Sequence, residues 1–132
     1  MFQDPAIRYP IAISLGAIAG ALSRYYLTLW FAQQFGTGFP SGTFAINLSG
    51  CFGMGLFVTL VLERSLQVPP ELQLLITTGF LGAYTTFSTY GLDTVMVFRV
   101  TPIAAIFYGL ASPVLGVGCV YLGSTIGRIL RF

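Results

Sequence analysis

Four apolar stretches, each long enough to cross a bilayer, account for nearly the whole chain. They run Pro10–Phe31, Thr43–Leu62, Leu72–Val100 and Pro102–Ile126, and a spanning helix needs about 20 mostly apolar residues. Only 8% of the 132 residues are charged and 55% are hydrophobic, far from the roughly quarter-charged make-up of a soluble domain. The expected fold is an all-α integral membrane protein with four transmembrane helices, forming a single domain over residues 1–132.

Ordinary punctuation separates the spans. Gly36 to Pro40 closes the first loop, Pro69-Pro70 precedes the third span, and Pro102 opens the fourth. Pro is tolerated at a helix start because the N–H it lacks is unpaired there anyway. The start, MFQDPAIRYP, reads as the lead-in to a full span rather than as a cleavable signal peptide. Cys51 and Cys119 fall mid-span, and with no histidine and no Cys-x-x-Cys they read as packing residues. An even number of spans puts Arg8, Arg64, Arg128 and Arg131 on one side and Arg99 on the other, where Arg24 counts as well if it snorkels to that end of its span. That is a weak positive-inside bias, and it suits a chain that inserts both ways round.

The third stretch is the anomalous one. Residues 79–90 read GFLGAYTTFSTY, packing Thr85, Thr86, Ser88 and Thr89 into five positions beside Gly79, Gly82 and Gly91. A lipid-facing helix gains nothing from four hydroxyls and three glycines. Non-helical backbone at membrane depth is tolerated only where protein buries it or water reaches it. The segment therefore reads as the wall of a permeation pathway. Two further polar residues stand inside spans. Arg24 is either a vestibule cation that attracts anions or a snorkelling helix-end residue. Asn47 is either helix–helix glue or a ligand contact, its amide offering two donors and one acceptor. In the fourth span Tyr108 and Ser112 lie one helical turn apart and share a face. Gly16 with Gly20, and Gly123 with Gly127, read as helix-packing pairs. Asp93, past the hydroxyl cluster, has no role legible in the sequence.

Hydroxyls, an amide, the edges of Phe87 and Tyr90 and a nearby Arg suit a small anion that must exchange its water for donors. Cation conduits use acidic rings or carbonyl filters instead. The chemistry of the residues thus leads to a small-anion pathway.

GFLGAYTTFSTY resembles the signature of the fluoride channel family (the Fluc or CrcB proteins), whose usual form is GFxGGxTTFSTF. Residues 16–27, GAIAGALSRYYL, resemble its first-helix motif, and residues 42–55, GTFAINLSGCFGMG, resemble its second-helix GTxxxNxxGxFxxG pattern. The resemblance implies a passive fluoride channel of the cell (inner or plasma) membrane that exports F⁻. It implies a third helix broken mid-membrane, an antiparallel dual-topology homodimer with two pores, and a central structural Na⁺. By motif position Asn47 would be the pore-lining amide, Phe87 the first ring facing fluoride and Tyr90 the second. Arg24 would stand near the pore entrance. Ser88, Thr89, Tyr108 and Ser112 would form the hydroxyl track. Backbone carbonyls of Gly82 and Thr85 from both subunits would hold the sodium. Two positions depart from the pattern: Ala83 for the usual second Gly, and Tyr90 for Phe.

Two other readings compete. A small multidrug-type antiporter needs an intramembrane carboxylate in its first helix, whereas residues 11–30 hold only Arg24. A non-transporting scaffold subunit would explain the glycine pairs but not the hydroxyls clustered between two rings. No nucleophile–base pair or metal-ligand spacing supports an enzyme, and nothing points to nucleic acid.

Overall fold

The computed structural model describes residues 4–63 and 66–130, so Arg64 and Arg131, counted in the charge bias, lie outside the described residues. The described chain is helical in six α segments: α1 (Pro5–Phe35), α2 (Ser41–Leu62), α3 (Pro70–Leu74), α4 (Gly82–Tyr84), α5 (Phe87–Phe98) and α6 (Pro102–Ile129). A π-helical stretch, Leu75–Leu81, joins α3 to α4. Three helices, α1, α2 and α6, are long and apolar enough to cross a membrane, and the surface is that of a membrane protein.

Helix limits differ from those read off the apolar runs. The first helix starts at Pro5 rather than Pro10, because the Ala6 N–H donates to the Asp4 carboxylate at 2.9 Å and Pro5 occupies the first turn. Pro10 then lies inside the helix, where it offers no N–H to the Ala6 carbonyl and its ring crowds that carbonyl. At the far end α1 runs on to Phe35, closed by Gly36 at φ 76°, whose N–H donates to the Ala32 carbonyl at 2.9 Å. The second begins at Ser41 rather than Thr43, and the fourth continues to Ile129 rather than Ile126. The stretch given as Leu72–Val100 is helical from Pro70 to Phe98, in pieces.

Packing inverts the soluble pattern. On α1 the small residues Ala12, Gly16 and Gly20 are buried while Ile11, Leu15, Ile18 and Leu22 face outward. Buried positions four apart form one stripe, and small residues let backbones approach where no water drives association. A methyl on Gly16 would overlap the Leu75 carbonyl oxygen, and one on Gly20 that of Phe80. The π-helical stretch is thus pressed directly onto α1. Across the molecule α2 meets α6 in the same way. Gly55 abuts the Val120 carbonyl and Gly123 the Phe52 carbonyl, with the Ser124 hydroxyl donating to the Gly55 carbonyl at 3.3 Å.

Ion pairs hold one end of the bundle. Arg8 pairs with Glu71 and Arg128 with Glu63, each at 3.0 Å. Both are part exposed, so each contributes about 1 kcal/mol or less. They join the start of α1 to α3 and the end of α6 to α2.

Candidate functional site

Helical hydrogen bonding stops at Tyr84 and restarts at Phe87. Thr85 (ψ 156°) and Thr86 (φ −150°, ψ 116°) are extended. Two extended residues strand backbone polar groups, and each must find a partner. Asn47 of α2 supplies two. Its Oδ1 accepts from the Thr86 N–H at 2.8 Å, and its Nδ2 donates to the Thr86 carbonyl at 3.1 Å. The amide side chain therefore pairs with Thr86 as a neighbouring strand would. Its second Nδ2 hydrogen is left over.

The hydroxyls divide into two groups. Thr85 Oγ1 donates back to the Leu81 carbonyl at 2.9 Å. Thr86 caps α5: its Oγ1 accepts from the Thr89 N–H at 3.2 Å and donates to Thr89 Oγ1 at 3.0 Å. A threonine at this position is a strong helix-start signal, and it is the role that reading the cluster only as a pathway wall overlooks. Ser88 Oγ lies 3.4 Å from Thr86 Oγ1. With Thr86 donating to it, Thr89 retains its own hydroxyl hydrogen. Donors remaining at the interruption are thus the Asn47 amide and the Thr89 hydroxyl.

A cavity of about 440 Å³ opens beside the interruption, and Asn47, Thr85, Thr86, Phe87, Tyr90 and Ser112 line it together with apolar residues of α2 and α6. Four of the sequence-predicted pathway residues, Asn47, Phe87, Tyr90 and Ser112, are brought together here. Arg24, Ser88, Thr89 and Tyr108 are not among its walls.

Phe87 is 83% exposed, and its ring lies 5.4 Å from that of Tyr90. The Tyr90 hydroxyl, whose direction the sequence leaves open, donates to the Gly109 carbonyl at 2.6 Å. Tyr108 is fully buried against Phe39, Phe44 and Tyr90, with ring centroids 5.6, 6.1 and 5.5 Å away. Its hydroxyl donates to Asp93 at 3.5 Å, which gives Asp93 a neighbour. The Ser112 hydroxyl donates to the Tyr108 carbonyl at 2.6 Å, so its hydrogen is spent on its own helix. Arg24 reaches the interruption, its Nη1 donating to the Thr85 carbonyl at 3.4 Å.

The Gly82 carbonyl would ordinarily accept from the amide four residues on, that of Thr86, but Asn47 has taken that amide. The two carbonyls named from the motif, Gly82 and Thr85, are therefore loosely engaged oxygens at one turn. Among the described residues no group of three or more His, Cys, Asp or Glu could hold a metal ion.

Comparison with known proteins agrees along almost the full length. A family model described as CrcB-like protein, Camphor Resistance (CrcB), matches residues 11–124. The fluoride-specific ion channel FluC of Trichormus variabilis is 58% identical over 130 residues, covering 98% of this chain and 95% of its own. Those of a Synechococcus and a Synechocystis species are each 50% identical, covering 97% and 95% of this chain and 98% and 96% of their own.

Proposed function

The chain belongs to the CrcB family, and from that premise we propose that it is a passive, selective fluoride channel that exports F⁻ from the cytoplasm. The observation that carries the reading is the donor-bearing cavity at the helix interruption, lined by Asn47, Phe87 and Tyr90. Its relatives' name, fluoride-specific ion channel, gives the ion. Fluoride enters cells as the weak acid HF and is trapped as the anion near neutral pH. An interior-negative potential, worth about 2.3 kcal/mol per charge per 100 mV, then drives it outward without a coupled ion or ATP. No enzymatic step is involved.

Selectivity follows from the exchange of water for donors. A small anion loses a costly hydration shell on entry, and the Asn47 N–H, the Thr89 hydroxyl and the ring edges of Phe87 and Tyr90 replace it. Chloride, being larger, fits the same donors less closely. Binding must stay weak enough for the ion to leave.

The working unit in this reading is an antiparallel homodimer with two pores, its third helix broken at membrane depth and both orientations present in the cell (inner) membrane. What supports it is the exposure of Gly82 and of the Phe87 ring, which flank the interruption in sequence and leave apolar surface there for a second copy to cover. A structural Na⁺ would be held by the Gly82 and Thr85 carbonyls of both subunits, a use of broken-helix carbonyls seen in other membrane proteins. The donor set fits: both ligands are oxygens, and Thr85 carries one long bond while a carbonyl has two lone pairs. When bound, the ion would supply a central positive charge joining the two interruptions. Purification without sodium should lower the unfolding midpoint and dissociate the dimer. An unchanged midpoint and mass would contradict the sodium site.

The cellular test is growth of a bacterium lacking its own fluoride exporter. Expression of this chain should restore growth at fluoride concentrations that stop the vector control, and Phe87→Ile should lose at least tenfold of that tolerance. Full tolerance from a normally expressed Phe87→Ile would mean the ring contact is incidental. No tolerance from wild type would count against export.

A further inference from the structure

We propose that the Tyr90 hydroxyl is a positioning group: it bonds the carbonyl that Pro113 leaves without a partner, and so holds the Phe87–Tyr90 ring pair in place against α6. For its effect on ion flow the proposal rests on the channel reading above; the bond itself does not.

The argument begins in α6. In an α-helix the Gly109 carbonyl accepts from the N–H of residue 113. Residue 113 is proline, inside α6, and has no N–H to give. Proline is tolerated in membrane helices where neighbouring side chains satisfy the freed carbonyl. Here that side chain comes from another helix. Tyr90 of α5 donates to the Gly109 carbonyl at 2.6 Å, at the short end for O–H···O bonds. The acceptor stands on a residue with no side chain. A methyl on Gly109 would lie 3.2 Å from Thr94 Cγ2, so α5 packs closely over this stretch of α6.

Two consequences reach the cavity. The Tyr90 hydroxyl hydrogen is committed to protein, so Tyr90 meets an anion through its ring edge and not as a hydroxyl donor. The ring is also held at both ends of its lever: its backbone belongs to α5, its tip is tied to α6, and it lies between Phe87 and Tyr108 at 5.4 and 5.5 Å. Phe, which the family pattern carries here, keeps the ring contacts and loses the tie. Tyr90 and Pro113 are therefore coupled, since an ordinary residue at 113 would return an N–H to Gly109 and make the hydroxyl dispensable.

The experiment compares wild type, Tyr90→Phe, Pro113→Ala and the double variant. Each is read by unfolding midpoint in detergent and by fluoride and chloride efflux from proteoliposomes, normalised to assembled protein. Tyr90→Phe should lower the midpoint and slow fluoride efflux by roughly tenfold, the factor one net hydrogen bond represents. The double variant should return to within about twofold of Pro113→Ala in rate, in fluoride-to-chloride ratio and in midpoint. Equal losses in Tyr90→Phe and the double variant would overturn the coupling. A midpoint that cycles while efflux and ion ratio do not would reduce the bond to a structural one and overturn the positioning claim. If Tyr90→Phe fails to assemble, recovery of assembly in the double variant is the expected result, and failure of both contradicts it. Absence of fluoride efflux from wild type would tell against the channel reading alone, and the midpoint cycle would still read the bond.

Discussion

Asn47→Leu should abolish function while leaving the chain's apolar pattern intact. Leucine matches asparagine closely in shape, so packing is nearly preserved, yet the Thr86 N–H and carbonyl both lose their partner. Each unsatisfied buried group costs about 1–3 kcal/mol, so the pair costs roughly 2–6 kcal/mol against a total stability of about 5–15 kcal/mol. We expect a sharp fall in unfolding midpoint and fluoride efflux reduced at least tenfold per assembled protein. Asn47→Ala should behave alike, because the clamp and not the volume is what matters. A Leu variant with wild-type midpoint and flux would show that Thr86 is satisfied some other way.

Gly123→Val should prevent assembly altogether. Any β-carbon at residue 123 would overlap the Phe52 carbonyl and lie 2.8 Å from the Leu56 nitrogen. Both are backbone atoms of α2, which move only if the helices separate, and interiors this dense do not give easily. Overpacking costs typically about 1–3 kcal/mol and more where backbone must shift, and two methyls beyond the first make this an extreme case. Loss of monodisperse protein in detergent is the expected result. Gly118→Ala on the same helix has open space around it and should shift stability by about 0.5 kcal/mol or less. Similar behaviour of the two variants would contradict the close α2–α6 contact.

The large-scale layout was legible because it depends on local composition. Apolar runs separated by Pro and Gly mark helices wherever lipid replaces water, and small residues four apart mark their contact faces. Gly16, Gly20 and Gly123 were readable as packing for that reason. The limits of α1 were missed although Asp4 and Pro5 carry the signal, because hydropathy outweighed the cap. The hydroxyl cluster was legible as an anomaly, but its internal division was not. Whether Thr86 caps a helix or faces a pore depends on where the helix restarts.

What could not be read were the contacts between distant segments. Asn47 and Thr86 are 39 residues apart, Tyr90 and Gly109 are 19 apart, and each bond exists only once the helices are arranged. The π-helical stretch belongs here too, since no residue in Leu75–Leu81 demands it and it lies where Gly16 and Gly20 press against it. Tyr108 shares a helical face with Ser112, which made it look like part of an open track. Its burial comes from Phe39 in the first loop and Phe44 in α2, neither of which periodicity within α6 can reveal.

The central claim is tested most directly by loading proteoliposomes containing the purified chain with fluoride and chloride, and following both with ion-selective electrodes in the presence of sodium. The account predicts rapid fluoride release with chloride retained. Retention of both ions by verified dimers, or release of both at comparable rates, would contradict it.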